Sequence, residues 1–254
     1  MNLLKSKIIE KKMLTHDNIR LVLENKEIAG KSYPGVFVNV RCCHSDELIL
    51  RRPISVLDAY EDRYEIVFKV MGKGTERLAY FETGDLLDVL GPLGKGFTFS
   101  QNYRKVAFIG GGIGIFPVVY AAKQFHGCQK DFFAGFKTKE EIMLMESLKQ
   151  HVDHLYLSTD DGSEGYPGFI TDLFMEKMTD YDMVYICGPA VMEEKIVKTL
   201  RKNKIKGQVS LEERMGCGIG ACLVCACKTS HGIRHVCKDG PVFDIEDVFI
   251  EDEK

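Results

Sequence analysis

The sequence predicts a multi-domain chain in three parts: an antiparallel β-barrel, an α/β unit with a doubly wound parallel sheet, and a small cysteine-rich C-terminal domain. In residues 1–100 short β-branched and aromatic runs alternate with turn clusters such as Tyr33-Pro34-Gly35 and Thr83-Gly84-Asp85. That rhythm marks a small antiparallel sheet or barrel. From about residue 104 apolar strands and helical patterns alternate with short connections, which argues for a parallel sheet covered on both faces. Residues 212–254 hold five of the nine cysteines and too little apolar sequence for a core of their own, so a bound metal group is expected to organise them. The expected boundaries are 1–100, 101–211 and 212–254.

In the first part strands are expected at 19–23, 36–40, 64–70 and 86–90, with a short helix at 75–81. In the second, a buried strand at 105–109 runs into glycines and a helix at 115–125. Further strands are expected at 131–136, 154–158, 183–187 and 208–211, and helices at 139–148, 169–178 and 190–203.

Composition removes several classes of function. The 254 residues are 45% hydrophobic and 28% charged, with a formal net charge of −3, which gives no footing for nucleic acid or an anionic membrane. Lys5, Lys7, Glu10, Lys11 and Lys12 interrupt any apolar leader, and no apolar run is long enough for a bilayer; the expected location is the cytoplasm. In that reducing setting clustered cysteines read as metal or redox ligands. The scattered Cys42, Cys43 and Cys128 read as small buried hydrophobes.

In the tail, Cys217, Cys222 and Cys225 stand in C-x4-C-x2-C spacing, with Cys237 following; this is the pattern of plant-type [2Fe–2S] ligands. Gly216, Gly218 and Gly220 suit a loop that needs positive φ and brings backbone N–H groups to sulfur. Structural zinc sites present two close pairs separated by a longer stretch, so three thiols in one glycine-rich loop favour iron–sulfur. Cys225 and Cys227 are one residue apart, and in an extended chain they leave on opposite faces. Cys227 is therefore assigned to packing, and His231 and His235 to an exposed tail.

Gly110-Gly111-Gly112-Ile113-Gly114 follows an apolar strand and precedes a helix, where backbone N–H groups and the helix dipole can hold a phosphate. The run departs from G-x-G-x-x-G, and no acidic residue stands where a ribose partner is expected, so tight packing alone is a competing reading. Cys187-Gly188-Pro189 ends a later strand and is expected to share a crevice with the glycine loop. Cys187 reads equally as a buried strand-end thiol or as a neighbour of a nicotinamide ring. Arg52-Pro53-Ile54-Ser55 offers a guanidinium fork for phosphate and a hydroxyl for a flavin edge. Lys69-Val70-Met71-Gly72-Lys73-Gly74-Thr75 leads from a strand through glycines into a short helix, and Gly91-Pro92-Leu93-Gly94 forms a rigid turn. Each has an adequate turn explanation; their order in one chain carries the weight.

Taken in that order, the motifs resemble the ferredoxin-NADP reductase superfamily. With the cysteine tail and Asp239-Gly240-Pro241-Val242-Phe243, the chain resembles over essentially its full length the iron–sulfur flavoprotein, or electron-transfer, subunits of dihydroorotate dehydrogenase B. The resemblance implies FAD held by Arg52, Pro53, Ile54, Ser55, Lys69, Val70, Met71, Gly74 and Thr75. It implies a [2Fe–2S] cluster on Cys217, Cys222, Cys225 and Cys237, and NAD(H) as substrate along Gly111, Gly112 and Gly114. It further implies an oxidoreductase subunit that works with an FMN-containing dihydroorotate dehydrogenase catalytic subunit, two of each in a heterotetramer, in de novo pyrimidine (UMP) biosynthesis. No residue is needed as general acid or base, and the tail is expected at the partner interface. NAD rather than NADP rests on the resemblance alone: Lys137 and Lys139 read either as partners of a 2′-phosphate or as solvated charges. The competing readings are an electron-transfer subunit of a sulfide- or glutamate-linked oxidoreductase using NADPH, and a zinc-stabilised binding module without turnover.

Overall fold

Six strands close on themselves in the N-terminal part of the computed structural model, which describes residues 2–43 and 47–249. They are β1 (Asn2–Met13), β2 (Asn18–Glu24), β3 (Phe37–Val40), β4 (Arg52–Tyr60), β5 (Arg63–Lys69) and β6 (Leu86–Leu93). Their order around the barrel is β1-β2-β5-β4-β3-β6, with every neighbouring pair antiparallel. Closure leaves no unpaired edge. Alternate residues point inward, as Leu87, Val89 and Leu93 do on β6. Two short helices, α1 (Lys26–Ala29) and α2 (Lys73–Leu78), sit in its connections, and the Asn25 side chain caps α1 by accepting from the Glu27 and Ile28 N–H groups.

Four barrel strands correspond to those expected; β1 and β4 were not anticipated. On β1 the buried residues are Ser6 and Ile8, while Lys5, Lys7, Glu10 and Lys12 face outward. Four of the five charges singled out in the sequence are exposed along this strand, whereas Lys11 is half-buried and its Nζ donates to the Ala79 carbonyl at 2.7 Å.

The α/β unit contains β7 (Lys105–Gly111), α3 (Ile115–Gln124), β8 (Gln129–Phe136), α4 (Met145–Lys149), β9 (His154–Thr159), β10 (Tyr166–Pro167), α5 (Ile170–Lys177), β11 (Met183–Cys187), α6 (Ala190–Lys202) and β12 (Gly207–Ser210). Strand order is β10-β9-β8-β7-β11-β12, all parallel, and β15 (Val242–Asp244) adds an antiparallel edge to β12. The central strands are buried along their length, as expected when helices cover both faces, and the rings of Phe108, Phe132 and Tyr185 pack in stacked contact. The helix expected at 139–148 is broken. Only a 3-10 turn over Lys139–Glu141 and the short α4 form, because Ile142 is extended and Leu144 adopts φ 66°, a conformation an α-helix of L-residues does not propagate.

The chain falls into two compact units. One comprises residues up to 96 with 212–226 and 235–241; the other comprises 97–211 with 227–234 and the residues from 242 on. The tail is thus not free-standing. A ribbon of β13 (Ala226–Thr229) and β14 (Gly232–His235) and a short helix, α7 (Val236–Asp239), follow the cysteine loop, and Val236, Val242, Phe243, Ile245 and Val248 are buried. Protein packing, and not a cluster alone, orders this segment. Among the described residues no helix is long and apolar enough to cross a membrane.

At the N-terminal end of the parallel sheet the buried Asp131 carboxylate meets His154 Nδ1 at 2.8 Å and Lys105 Nζ at 3.4 Å, and accepts from Tyr181 Oη at 2.7 Å. Burial favours the neutral acid, but the bonds from His154 and Tyr181 and the charge of Lys105 outweigh it and hold the carboxyl below its ordinary range. This stabilisation is complete above the unfolded-state value of about 3.9 and is lost as pH falls through the lower folded-state value. Thermal denaturation from about pH 6 to about pH 3 should show the loss. Asp131→Asn should lower stability near neutrality by about 1–3 kcal/mol and flatten the acid limb.

Candidate functional site

The cysteine loop is built around backbone donors. Gly218 and Gly220 take φ of +74° and +80°, turning successive N–H groups inward. The Ile219, Ala221 and Cys222 N–H groups donate to Cys217 Sγ at 3.4, 3.3 and 3.4 Å. Cys222 Sγ accepts from the Cys217 N–H at 3.3 Å, Cys237 Sγ from Gly220 at 3.1 Å, and Cys225 Sγ from Cys237 at 3.5 Å. The thiols fall into two hydrogen-bonded pairs, Cys217 with Cys222 and Cys225 with Cys237. Among the described residues no three His, Cys, Asp or Glu side chains converge on one point suited to a single ion. Paired thiols fit a two-iron cluster, whose four cysteines are shared between its irons, better than the four ligands around one zinc.

Burial disfavours a thiolate at Cys217, yet the converging N–H groups overcome it and draw the thiol down to about 6; at Cys237 burial and the adjoining Cys225 push it up to about 12. Cys225 and Cys237 are buried and Cys222 is exposed. Cys227 lies on β13, half-buried, one residue beyond the turn that carries Cys225. Of the scattered cysteines, Cys42 is buried, Cys43 and Cys128 half-buried, and desolvation lifts the Cys42 and Cys128 thiols to about 11. Ile219, Leu223 and Val224 leave apolar side chains exposed around the loop, and Leu223 holds φ +62°. The sequence showed these three only as spacers between ligands.

The loop folds against the barrel within one unit. Gly94, at φ +83°, leaves no room for a Cβ, which would lie 2.5 Å from Pro241 Cδ. The Gly91-Pro92-Leu93-Gly94 turn and the segment after Cys237 are therefore in direct contact. The same unit brings together the proposed flavin residues. The Arg52 guanidinium lies over Gly74, where a Cβ would fall 2.5 Å from Nε, and its Nη1 donates to the Leu50 carbonyl. Thr75 Oγ1 accepts from the Met71 N–H at 2.9 Å and donates back to the Gly72 carbonyl, shaping the entry to α2. Lys69 pairs with Asp17 at 3.1 Å. Pro53, Ile54 and Ser55 run along β4 opposite Asn39, Val38 and Phe37 of β3, and Val70 is half-buried while Met71 is exposed. A strand end, a guanidinium and a glycine helix entry suit a phosphate-bearing cofactor.

In the other unit the glycine loop and the Cys187 turn lie side by side, as expected of one crevice: Gly110 is the register partner of Cys187. A Cβ at Gly114 would come 2.6 Å from Gly188 Cα, and one at Gly111 would come 2.7 Å from Met192 Sδ. Gly112, at φ +54°, has open space around it. Packing thus requires two of the three glycines, and the third takes the left-handed conformation. Cys187 is buried at the end of β11, and Glu193 accepts the Gly188 N–H at 2.9 Å. Carboxylates absent from the sequence reading also appear. Asp160 and Asp161 donate their N–H groups to the Phe136 and Lys137 carbonyls at the end of β8, and burial raises the Asp160 carboxyl against the opposing charge of Lys137. Lys139 follows on the next turn, its N–H on Ser163 Oγ. The signal was Asp-Asp-Gly after a strand, which reads first as a turn.

In the metal-free chain, iodoacetamide labelling followed by peptide mapping should modify Cys217 first, with a rate midpoint near pH 6, and Cys237 last; uniform labelling across the four would contradict the hydrogen-bond arrangement. For the glycine loop, Gly114→Ala should weaken NAD(H) binding by at least about tenfold, or roughly 1.4 kcal/mol, as read by fluorescence titration.

An iron–sulfur cluster binding domain of dihydroorotate dehydrogenase B matches residues 212–249, and an oxidoreductase NAD-binding domain matches residues 108–198. The dihydroorotate dehydrogenase B (NAD(+)) electron transfer subunit of Clostridium acetobutylicum is 43% identical over 219 residues, 86% of this chain and 87% of that one. Its counterpart from Shouchella clausii is 37% identical over 253 residues, 96% of each. Among solved structures, one of an NADH-dependent reduced ferredoxin-NADP oxidoreductase, studied for flavin-based electron bifurcation, matches with TM-score 0.87 at 30% identity over 98% of this chain and 90% of that one. The cytochrome b5 reductase domain of Ulva prolifera nitrate reductase shares the fold, with TM-score 0.65 at 19% identity over 80% of this chain and 94% of that one. With such identity over most of its length and the cluster domain falling on the cysteine tail, the chain belongs to the family of dihydroorotate dehydrogenase B (NAD(+)) electron transfer subunits.

Proposed function

We propose that the chain carries electrons from the FMN of a dihydroorotate-oxidising catalytic subunit to NAD⁺, in the cytoplasm, in de novo pyrimidine (UMP) biosynthesis. The observation that carries the reading is the pair of thiol pairs, wrapped by backbone N–H groups and folded against the barrel that holds Arg52 and Gly74. When bound, a [2Fe–2S] cluster supplies one-electron transfer and FAD converts it to the two-electron hydride exchange of a nicotinamide.

Each group of residues then has a task. Cys217, Cys222, Cys225 and Cys237 hold the cluster, and their N–H donors spread its negative charge. Arg52, Pro53, Ile54, Ser55, Lys69, Val70, Met71, Gly74 and Thr75 hold FAD, with the Arg52 fork on phosphate. Gly111, Gly112 and Gly114 line the pyridine nucleotide, and Cys187 stands beside its ring. Asp160 opposes the charge of Lys137, which supports NAD over a 2′-phosphorylated nucleotide. No side chain has to act as general acid or base, so the dihydroorotate site belongs to the partner. The apolar Ile219, Leu223 and Val224 around the cluster loop support contact with that partner, in an assembly of two subunits of each kind. The divisions 1–100, 101–211 and 212–254 then correspond to one cofactor each.

A second reading is an electron-transfer subunit serving another NAD(P)H-linked oxidoreductase, favoured by the TM-score of 0.87 to the ferredoxin-NADP oxidoreductase. The purified chain, analysed for iron, sulfide and flavin and by optical and EPR spectra, should be coloured and contain all three. Added to its cognate FMN subunit, it should confer NAD⁺-dependent dihydroorotate oxidation. A coloured protein that fails to do so would favour the second reading. Alanine at Cys217, Cys222, Cys225 or Cys237 should abolish bound iron, whereas Cys227→Ala should keep it; the reverse pattern would reassign the ligands.

A further inference from the structure

Strand β3 runs Phe37, Val38, Asn39, Val40 with all four residues buried, and Asn39 is the polar one among them. Its Oδ1 has no hydrogen-bond partner among the described residues, a state that costs the full desolvation of the group. An apolar residue of similar size would serve the barrel at lower cost. What the carboxamide reaches is the cluster loop. Nδ2 points at the Cys217 carbonyl oxygen at 3.5 Å, a long bond, and a Cβ on Gly218 would come 2.6 Å from the same nitrogen. From the other side, Asn39 pairs in register with Pro53, and its carbonyl accepts from Arg51 Nη1 at 3.4 Å. One residue therefore joins the strand of Arg52-Pro53-Ile54-Ser55 to the first cysteine of the cluster loop.

We infer that Asn39 is a positioning residue for electron transfer within this subunit: its buried carboxamide seats the Cys217–Gly218 peptide on β3 and so sets the placement of the cluster loop relative to the flavin-binding strand. The inference rests on the function proposed above. It explains why a polar side chain persists at a position the barrel would fill with a hydrocarbon. It also gives Gly218 a second task besides its left-handed φ, since only a residue without a Cβ lets the loop approach so closely.

The test uses the full chain loaded with flavin and cluster, comparing wild type with Asn39→Leu, Gly218→Ala and the double variant. Iron, sulfide and flavin content and thermal stability report on assembly. EPR-monitored redox titration reports on the cluster, and flash reduction gives the cluster-to-flavin transfer rate. Asn39→Leu should fold with wild-type or higher thermal stability and full cofactor content. Its cluster midpoint potential and EPR line shape should shift, and the transfer rate should fall severalfold. Gly218→Ala, which also strains the left-handed φ, should show at least the same signature, and adding Asn39→Leu to it should cause no further loss, because the contact is already broken. An Asn39→Leu protein with wild-type potential, EPR line and rate would overturn the inference, as would additive effects. Failure of Asn39→Leu to fold would also overturn it, by assigning the carboxamide to the barrel. A wild-type chain that bears no cluster would instead defeat the function proposed above, so the two failures are distinguishable.

Discussion

The cysteine loop depends on the convergence of backbone N–H groups on sulfur. Four thiolates around one small group repel one another. At Cys217 peptide dipoles offset that charge, through the Ile219, Ala221 and Cys222 N–H groups. That requirement dictates the positive φ at Gly218 and Gly220, and the resulting tight loop can then approach the barrel closely enough for Gly218 to meet Asn39. Electrostatics at sulfur thus propagates into backbone conformation and then into packing.

The same economy of volume governs the glycine loop in the other unit. Gly111 and Gly114 are filled against Met192 and Gly188, so the β7–α3 turn and the β11–α6 turn interlock before any ligand arrives. Glu193 holds the Gly188 N–H and fixes the second turn from beneath. The two turns are held in place by close contacts, which would reduce the ordering cost of any ligand bound there.

The cluster-binding tail was legible in the sequence because its C-x4-C-x2-C spacing is that of plant-type clusters, and the parallel strands were legible because burial on both faces leaves continuous apolar runs. Other features were not. Strand β1 shows Lys5, Lys7 and Lys12 to solvent and buries Ser6 and Ile8, so its outward face masks its pairing. The helix expected at 139–148 has an adequate apolar pattern and fails at Leu144 for a backbone reason that composition does not carry. Asp160 and Asp161 read as turn residues until the parallel sheet brings them to the end of β8. Asn39 and Cys217 are separated by 178 positions, and no local pattern signals a contact at that distance.

The edge strand β15 pairs with β12, and these two strands bracket the stretch that carries the five tail cysteines. The stretch is therefore a closed excursion, anchored where it departs and where it returns. Anchoring lowers the entropy that the free segment would otherwise have to surrender, so metal insertion begins from a chain whose ends are already pinned. Assembly of the redox centre becomes a local rearrangement within a tethered arc, and loss of the metal would not set the carboxy-terminal strand adrift.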